Sequence, residues 1–245
     1  MDSLVRVFLG FDSKETVAFH VAAQSIHSRS SMPVSVTPLL LSQLKDVFNR
    51  PRDPKQSTDF SFSRFLVPFL CDYQGWAVFA DCDILVQDDI AKLWTLRDDR
   101  YAVQVVQHDH RPKEGQKFLG QVQTAYPKKN WSSVMLFNNS KCRALTPAYV
   151  ETAPGFDLHQ FRWLADDSLI GALPHAWNVL IDYDPQDLAD RGSLLHYTSG
   201  GPWFPDYRNA GKAGLWWQAL SETLHPVALE DVQDEAAPHV SGAGV

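Results

Sequence analysis

Cysteine is scarce in this chain, with three in 245 residues. Cys71, Cys82 and Cys142 form no Cys-x-x-Cys pair and are odd in number, so they describe neither a disulfide framework nor a cysteine zinc site and point to a reducing compartment. Basic charge is also short. Lys and Arg number 22 against 29 Asp and Glu, a formal net charge of −7, which leaves no basic surplus for electrostatic binding to DNA or RNA. A small anionic substrate stays open, because one bound metal ion reverses the local field. No apolar run approaches the roughly 18 residues of a membrane span, and the opening Met1-Asp2-Ser3-Leu4-Val5-Arg6 lacks the shape of a secretion signal. The expectation is a cytoplasmic protein that meets a membrane at its inner face, if at all. Asn130-Trp131-Ser132 and Asn138-Asn139-Ser140 match the glycosylation sequon, read here as chance.

What is present is an ordinary globular composition with a generous 12% of aromatics, including eight Trp. Flat side chains suit sugar faces and protein cores equally. The order of elements says more. Leu4 to Leu9 is an apolar run closing on Gly10-Phe11-Asp12 and followed by a helical stretch carrying Val17, Val21, Ala22 and Ile26. Val34 to Leu41, interrupted by Pro38, is a second strand candidate. Strand, turn, helix, strand is how a parallel α/β sheet begins. Phe62, Phe65, Leu66, Phe69 and Leu70 make one helix face, kinked or restarted at Pro68. Trp76 to Ala80 reads as a buried strand with Asp81-Cys82-Asp83 at its carboxyl end, where open parallel sheets bind ligands. A helix over 89–96 and strands over 102–106, 134–137, 179–181 and 194–197 follow, with helical spacing over 141–150 and 157–173. Residues 108–131 are polar and irregular, carrying Arg111, Lys113, Lys117, Lys128 and Lys129. From His225 the chain loses periodicity and reads as a mobile tail.

Two aspartates at i and i+2 beyond a strand can share one hard divalent cation, Mg²⁺ or Mn²⁺, which then bridges phosphate oxygens. Such pairs also arise by chance, and Asp182-Tyr183-Asp184 is a second copy, late in the chain and followed by Pro185. Its position makes the first copy the functional one. A strand ending in Asp-x-Asp is equally how haloacid-dehalogenase-type phosphatases present nucleophile and acid/base, with Asp81 and Asp83 in those roles and Asp166-Asp167 as the distal metal pair. Against this, the motif is not on the first strand, and Leu85 stands where a Thr or Val is usual. A non-catalytic nucleotide or glycan binder is the other alternative. His108-Asp109-His110 is a weak candidate for a separate metal cluster, having no third ligand nearby in sequence.

Several blocks, in order, resemble glycosyltransferase family 8 and its relatives, the group including glycogenin and bacterial lipopolysaccharide galactosyltransferases. They are Val7-Phe8-Leu9-Gly10-Phe11-Asp12, Phe62-Ser63-Arg64-Phe65-Leu66, Phe79-Ala80-Asp81-Cys82-Asp83, Ser133-Val134-Met135-Leu136-Phe137-Asn138, Asp166-Asp167-Ser168-Leu169 with Leu173-Pro174 and Trp177-Asn178, and His196 with Gly200 and Pro202-Trp203. The resemblance spans residues 4–205 and implies a GT-A fold, an α/β Rossmann-like arrangement with a mixed, mainly parallel sheet flanked by helices. It implies one domain over 1–224, with a nucleotide-binding half to about 107 and an acceptor-side half beyond, and the tail 225–245 outside it.

The implied activity is transfer of a hexose, with retention, from a nucleotide-sugar such as a UDP-hexose to a hydroxyl of a glycan, lipid-linked or small-molecule acceptor. By the same resemblance Mn²⁺ or Mg²⁺ is held by Asp81, Asp83 and His196. Asp12, Arg64 and Cys82 contact the donor, and Asp167 or Asp166 stabilises the reacting sugar or orients the acceptor. Two departures stand out. The family's Asn-Ala-Gly turn is Trp131-Ser132-Ser133 here, with Asn130 displaced by one, and Gly201 replaces the Lys that meets the diphosphate, with Lys212 or Arg208 as candidate substitutes.

Overall fold

The structure, a computed structural model, describes residues 3–53, 56–109 and 127–224, and the backbone alone of 115–116 and 122–123. Strand β1 (Val5–Gly10) is apolar nearly throughout and almost wholly buried, as the sequence run predicts. Helix α1 (Thr16–Ser28) returns the chain, and β2 (Val34–Leu39) pairs parallel to β1. Pro38 is accommodated because β2 is the edge strand, where a missing N–H leaves no ladder gap. Val17 is exposed, so the buried face of α1 is Ala18, Phe19, Val21, Ala22, Ser25 and Ile26.

Residues Ser63–Leu66 form a 3-10 turn that runs into the short helix α2 (Val67–Leu70), with Pro68 in its first turn. Proline is tolerated there because its absent donor lies among the unpaired N-terminal amides. Strand β3 (Trp76–Ala80) is fully buried and pairs parallel to β1. After Asp81-Cys82-Asp83 the chain continues as β4 (Ile84–Val86), which belongs to a different sheet. Helix α3 (Ile90–Thr95) is capped by Asp89, whose carboxylate accepts the Ala91 N–H. Then come β5 (Val103–Val105), the two-residue strands β6 (Gly115–Gln116) and β7 (Val122–Gln123), and β8 (Val134–Asn138).

The large sheet has β8 antiparallel between β3 and β5, and β9 (Ile170–Ala172) parallel to β5, giving the order β2-β1-β3-β8-β5-β9. It is mixed and mainly parallel, as expected. A small sheet holds β10 (Val179–Leu180), β11 (Leu194–His196) and β4. Helix α7 (Ala213–Leu224) lies against α1, and the buried Val21, Leu85, Tyr197 and Trp216 fill the space between. Buried Ser25 joins the layers, since its Oγ accepts the Val86 N–H at 3.1 Å.

Two helices come out shorter than their spacing suggests. The stretch 141–150 gives only α4 (Pro147–Thr152), because Thr146 caps it through the Tyr149 N–H and Pro147 fixes its start. The stretch 157–173 gives α5 (Gly155–His159) and β9, broken by Phe161 at φ 60, a left-handed value that ends a helix. Helix α6 (Gln186–Asp190) precedes β11. The tail from 225, His110, Arg111, Lys113 and Lys117 lie outside the described residues. Among the described residues no helix is long and apolar enough to cross a membrane.

Candidate donor and metal site

Asp81-Cys82-Asp83 is the link between the two sheets, and both ends of the link are pinned. The Asp81 N–H donates to the Ser133 carbonyl at 2.9 Å beside the large sheet, and the Tyr197 N–H donates to the Asp83 carbonyl at 2.8 Å beside the small one. The Cys82 side chain is wholly buried in the main core. Burial first, and then the carboxylates of Glu15, Asp83, Asp81 and Asp12, push its thiol pKa well up. Cys82 therefore stays a neutral core residue, and what it can offer a donor is its backbone.

Pairing of β11 with β4 sets His196 opposite Ile84, next to the link. Asp81, Asp83 and His196 each place a ligand atom within 4.8 Å of the others. His196 is 1% exposed, and its Nε2 lies 3.3 Å from Asp83 Oδ1. Its other nitrogen, Nδ1, is 3.0 Å from Asn178 Oδ1. The Asn178 orientation is fixed by its own amide group, which donates to Ser133 Oγ at 2.9 Å and to the Asn130 carbonyl at 3.3 Å. Asn178 Oδ1 thus accepts from His196 Nδ1–H, which leaves Nε2 as the nitrogen turned to Asp83. A lone pair and a carboxylate oxygen at that separation repel unless a cation or a proton lies between them. Two hard oxygens and one imidazole, oriented by a neighbouring amide, are a donor set that fits a divalent metal.

Arg64 braces the other carboxylate. It is 5% exposed, with Nη1 2.7 Å from Asp81 Oδ1 and donating also to the Ser132 carbonyl at 2.8 Å. Its guanidinium lies 4.9 Å from the Phe79 ring centroid and 5.3 Å from that of Phe60. Such a pair is held by geometry, because removing either partner strands a buried charge. Phe60 itself approaches closely only because residue 10 is glycine: a Cβ there would lie 2.5 Å from its ring. Fully burying each of these phenyl rings contributes roughly 1.5–3 kcal/mol.

Asp12 is buried and already engaged, accepting from the Lys14 N–H at 2.9 Å and the Asp59 N–H at 3.0 Å. It ties the β1 end to the loop before Arg64. Asp166 and Asp167 stand apart from the metal-ligand group. Asp166 accepts from Ser168 N–H at 2.7 Å as a cap. Asp167, its side chain 74% exposed, pairs with Lys128 Nζ at 2.6 Å. Lys128 also donates to the Gln160 carbonyl and sits 5.9 Å from the Trp131 ring, so Asp167 is linked to the turn beside Ser132, not to the carboxylates. Of the candidate substitutes for the missing Lys, Lys212 is ion-paired with Asp190.

Sequence reasoning gave no such role to three members of the surroundings. Asn178 is noticed only as the end of a Trp-Asn pair, although it sets the His196 tautomer. His159 shares a 2.8 Å hydrogen bond with Ser132 Oγ, and burial, with Arg64, Lys129 and Arg50 nearby, holds its pKa well below the ordinary value, keeping it neutral. Asn130 is left-handed at φ 64, and its buried Nδ2 has no hydrogen-bond partner among the described residues. Only the Asn130 displacement leaves a mark in the sequence.

Comparison with known proteins agrees with this geometry. A family model described as glycosyl transferase family 8 matches residues 10–144. Protein CDI of Arabidopsis thaliana is 46% identical over 224 residues, 89% of this chain and 86% of that one. Among solved structures, the bifunctional glycosyltransferase WbbM superposes with a TM-score of 0.65 at 14% identity, over 95% of this chain and 52% of that one. This chain therefore spans about half of that protein. The glycosyltransferase GlyE of Streptococcus pneumoniae gives 0.59 at 16% identity, over 96% and 64%. The galactosyltransferase LgtC, solved with donor and acceptor sugar analogues, gives 0.55 at 12% identity, over 89% and 96%. At these identities the structural likeness establishes the fold, which is GT-A.

Proposed function

The chain belongs to glycosyl transferase family 8, and from that premise we propose that it moves a hexose from a nucleoside diphosphate, a UDP-hexose, to an acceptor hydroxyl with retention at the anomeric carbon. The observation that carries the metal-dependent part is the 3.3 Å apposition of His196 Nε2 and Asp83 Oδ1, with the ring held by Asn178. Asp81, Asp83 and His196 hold Mn²⁺ or Mg²⁺. When bound, that ion supplies Lewis-acid neutralisation of the charge that builds on the donor diphosphate.

The chain's own residues do the rest. Arg64 fixes the Asp81 carboxylate and adds an immobile positive charge beside the phosphates. Asn130 Nδ2 is a donor available to a sugar hydroxyl, and Ser132, oriented by neutral His159, stands in the same turn. The glycosidic C–O bond to the β-phosphate breaks, the acceptor oxygen bonds the anomeric carbon from the same face, and the acceptor proton passes to a phosphate oxygen of the departing diphosphate. No strong protein base is needed, in keeping with the placement of Asp166 and Asp167 outside the metal-ligand group. These two act, in this reading, at the acceptor end, on the half beyond residue 107. The acceptor is a glycan, a lipid-linked saccharide or a small molecule. The phosphatase reading of Asp81 and Asp83 does not survive membership of a glycosyltransferase family.

The test is UDP release from UDP-hexoses with and without Mn²⁺. Wild type should turn over slowly with water and faster with acceptor. Asp83→Ala should lose several kcal/mol of transition-state stabilisation, on the order of 10³ in rate. Unchanged turnover in that variant, or equal turnover in chelator, would sink the proposal. A thermal-shift panel of UDP, GDP and CDP with Mn²⁺ identifies the base, since only a bound ligand stabilises.

A further inference from the structure

A second cluster of ligating side chains, separate from the first, draws its members from two distant parts of the chain. His108 follows β5, His175 opens the 3-10 turn His175–Trp177, and Asp184 ends the second Asp-x-Asp copy. A ligand atom from each lies within 4.8 Å of the others. His175 Nε2 is 2.9 Å from Asp184 Oδ2, and the two imidazoles meet edge to face with centroids 5.0 Å apart. We propose that His108, His175 and Asp184 form a second divalent-cation site, selective for zinc, distinct from the donor metal site and independent of the activity proposed above.

The groups are held as ligands need to be. Asp184 Oδ2 also accepts the Leu180 N–H at 2.7 Å, which fixes the carboxylate. The His108 backbone is clamped on both sides, its carbonyl accepting from Trp131 Nε1 at 2.8 Å and its N–H donating to the Val106 carbonyl at 3.1 Å. His108 is buried and the Asp184 side chain is 14% exposed, whereas the His175 side chain is 43% exposed. Two ligands are therefore prepositioned, and the third closes from solvent, giving the ion a way in. Bonds of about 2.0–2.2 Å to nitrogen and oxygen require the three atoms to draw together somewhat, and the exposed His175 is the one free to move.

Ligand chemistry separates the two sites. Two carboxylates with one imidazole suit Mn²⁺ or Mg²⁺. Two imidazoles with one carboxylate favour zinc, with a fourth, tetrahedral position open to solvent. A cation there ties the segment after β5 to the segment 175–184, and so braces Asn178 three residues past His175. His108 is in turn joined through its carbonyl to the indole of Trp131, which begins the turn bearing Ser132 and Ser133.

The measurement uses the full chain, stripped with chelator. The first readout is titration with zinc against a chromophoric competitor, in the Asp83→Ala background that disables the donor site. The second is Co²⁺ absorption in wild type saturated with Mn²⁺. Expected are one zinc per Asp83→Ala chain, undisturbed by 100-fold excess Mn²⁺, a zinc-induced rise in melting temperature, and an intense visible Co²⁺ band in wild type. The added change His175→Gln, at an exposed position that leaves the fold intact by circular dichroism, should weaken zinc at least about 10–100-fold and abolish the Co²⁺ band. His108→Gln should do the same. Absence of zinc binding in Asp83→Ala, or binding and spectra unchanged by His175→Gln, would overturn the proposal.

Discussion

Asp-x-Asp occurs twice in this chain, and the two copies are built in opposite ways. In Asp81-Cys82-Asp83 the chain passes from one strand to the next, both carboxylates converge with His196, and the middle residue is driven into the core. In Asp182-Tyr183-Asp184 the chain turns at Asp182, which is left-handed at φ 69, and the carboxylates part. Asp182 accepts the Gly211 N–H at 3.0 Å, while Asp184 turns back to Leu180 and His175. Tyr183 in the middle is exposed. Sequence identity at two positions thus says nothing about shared ligation. What decides is whether the intervening backbone links strands of two different sheets or folds on itself.

Substitution at the equivalent positions should separate the copies sharply. Asp83→Ala removes a ligand and nearly abolishes turnover, whereas Asp182→Ala leaves it within about threefold, since its loss is one backbone hydrogen bond. Comparable losses in both would erase the distinction. Next in size is Asn178→Ala, which removes no proposed ligand but frees His196. The Mn²⁺ concentration for half-maximal UDP release should rise about 10–100-fold, with a smaller change at saturating metal. An unaltered Mn²⁺ requirement would mean the ring is oriented by something else.

A smaller effect measures how dry the first copy's surroundings are. His159 stays neutral when folded and takes a proton below about pH 6.5 when unfolded. The unfolded state then binds more protons, so stability falls as pH drops through that window, by about 1.4 kcal/mol per unit until the folded pKa is reached. Urea melts at pH 7.5, 6.5 and 5.5 should show this slope flattened in His159→Gln. The same slope in both proteins would assign the effect elsewhere. The smallest change belongs to the second copy. Asp182→Ala should lower the unfolding free energy by about 1–2 kcal/mol, through the lost Gly211 contact and a left-handed backbone that Ala tolerates less well than Asp.

Much of the large sheet was legible because β1, β3 and β8 are almost wholly apolar runs, and Pro68 announced the restart into α2. The spacing at 157–173 misled because apolar residues recur at helical intervals across a break at Phe161, and periodicity carries no information about φ. The grouping of Asp81, Asp83 and His196 was legible through the order of the blocks. Their support was not. The Ser132–His159 and His196–Asn178 contacts, like the meeting of His108 with His175 and Asp184, join residues that only the folded chain brings together. Looking for a third ligand beside His108 in the sequence therefore missed it.

Gly201 stands where relatives of this chain are expected to carry a lysine. A Cβ at that position would lie 2.0 Å from the Trp203 ring, so the indole occupies the space in which any side chain would have to begin. A lysine at this position would therefore have to displace the Trp203 indole from its packing against Tyr197 and Trp216. The room for a side chain at residue 201 is thus set by where the Trp203 ring packs.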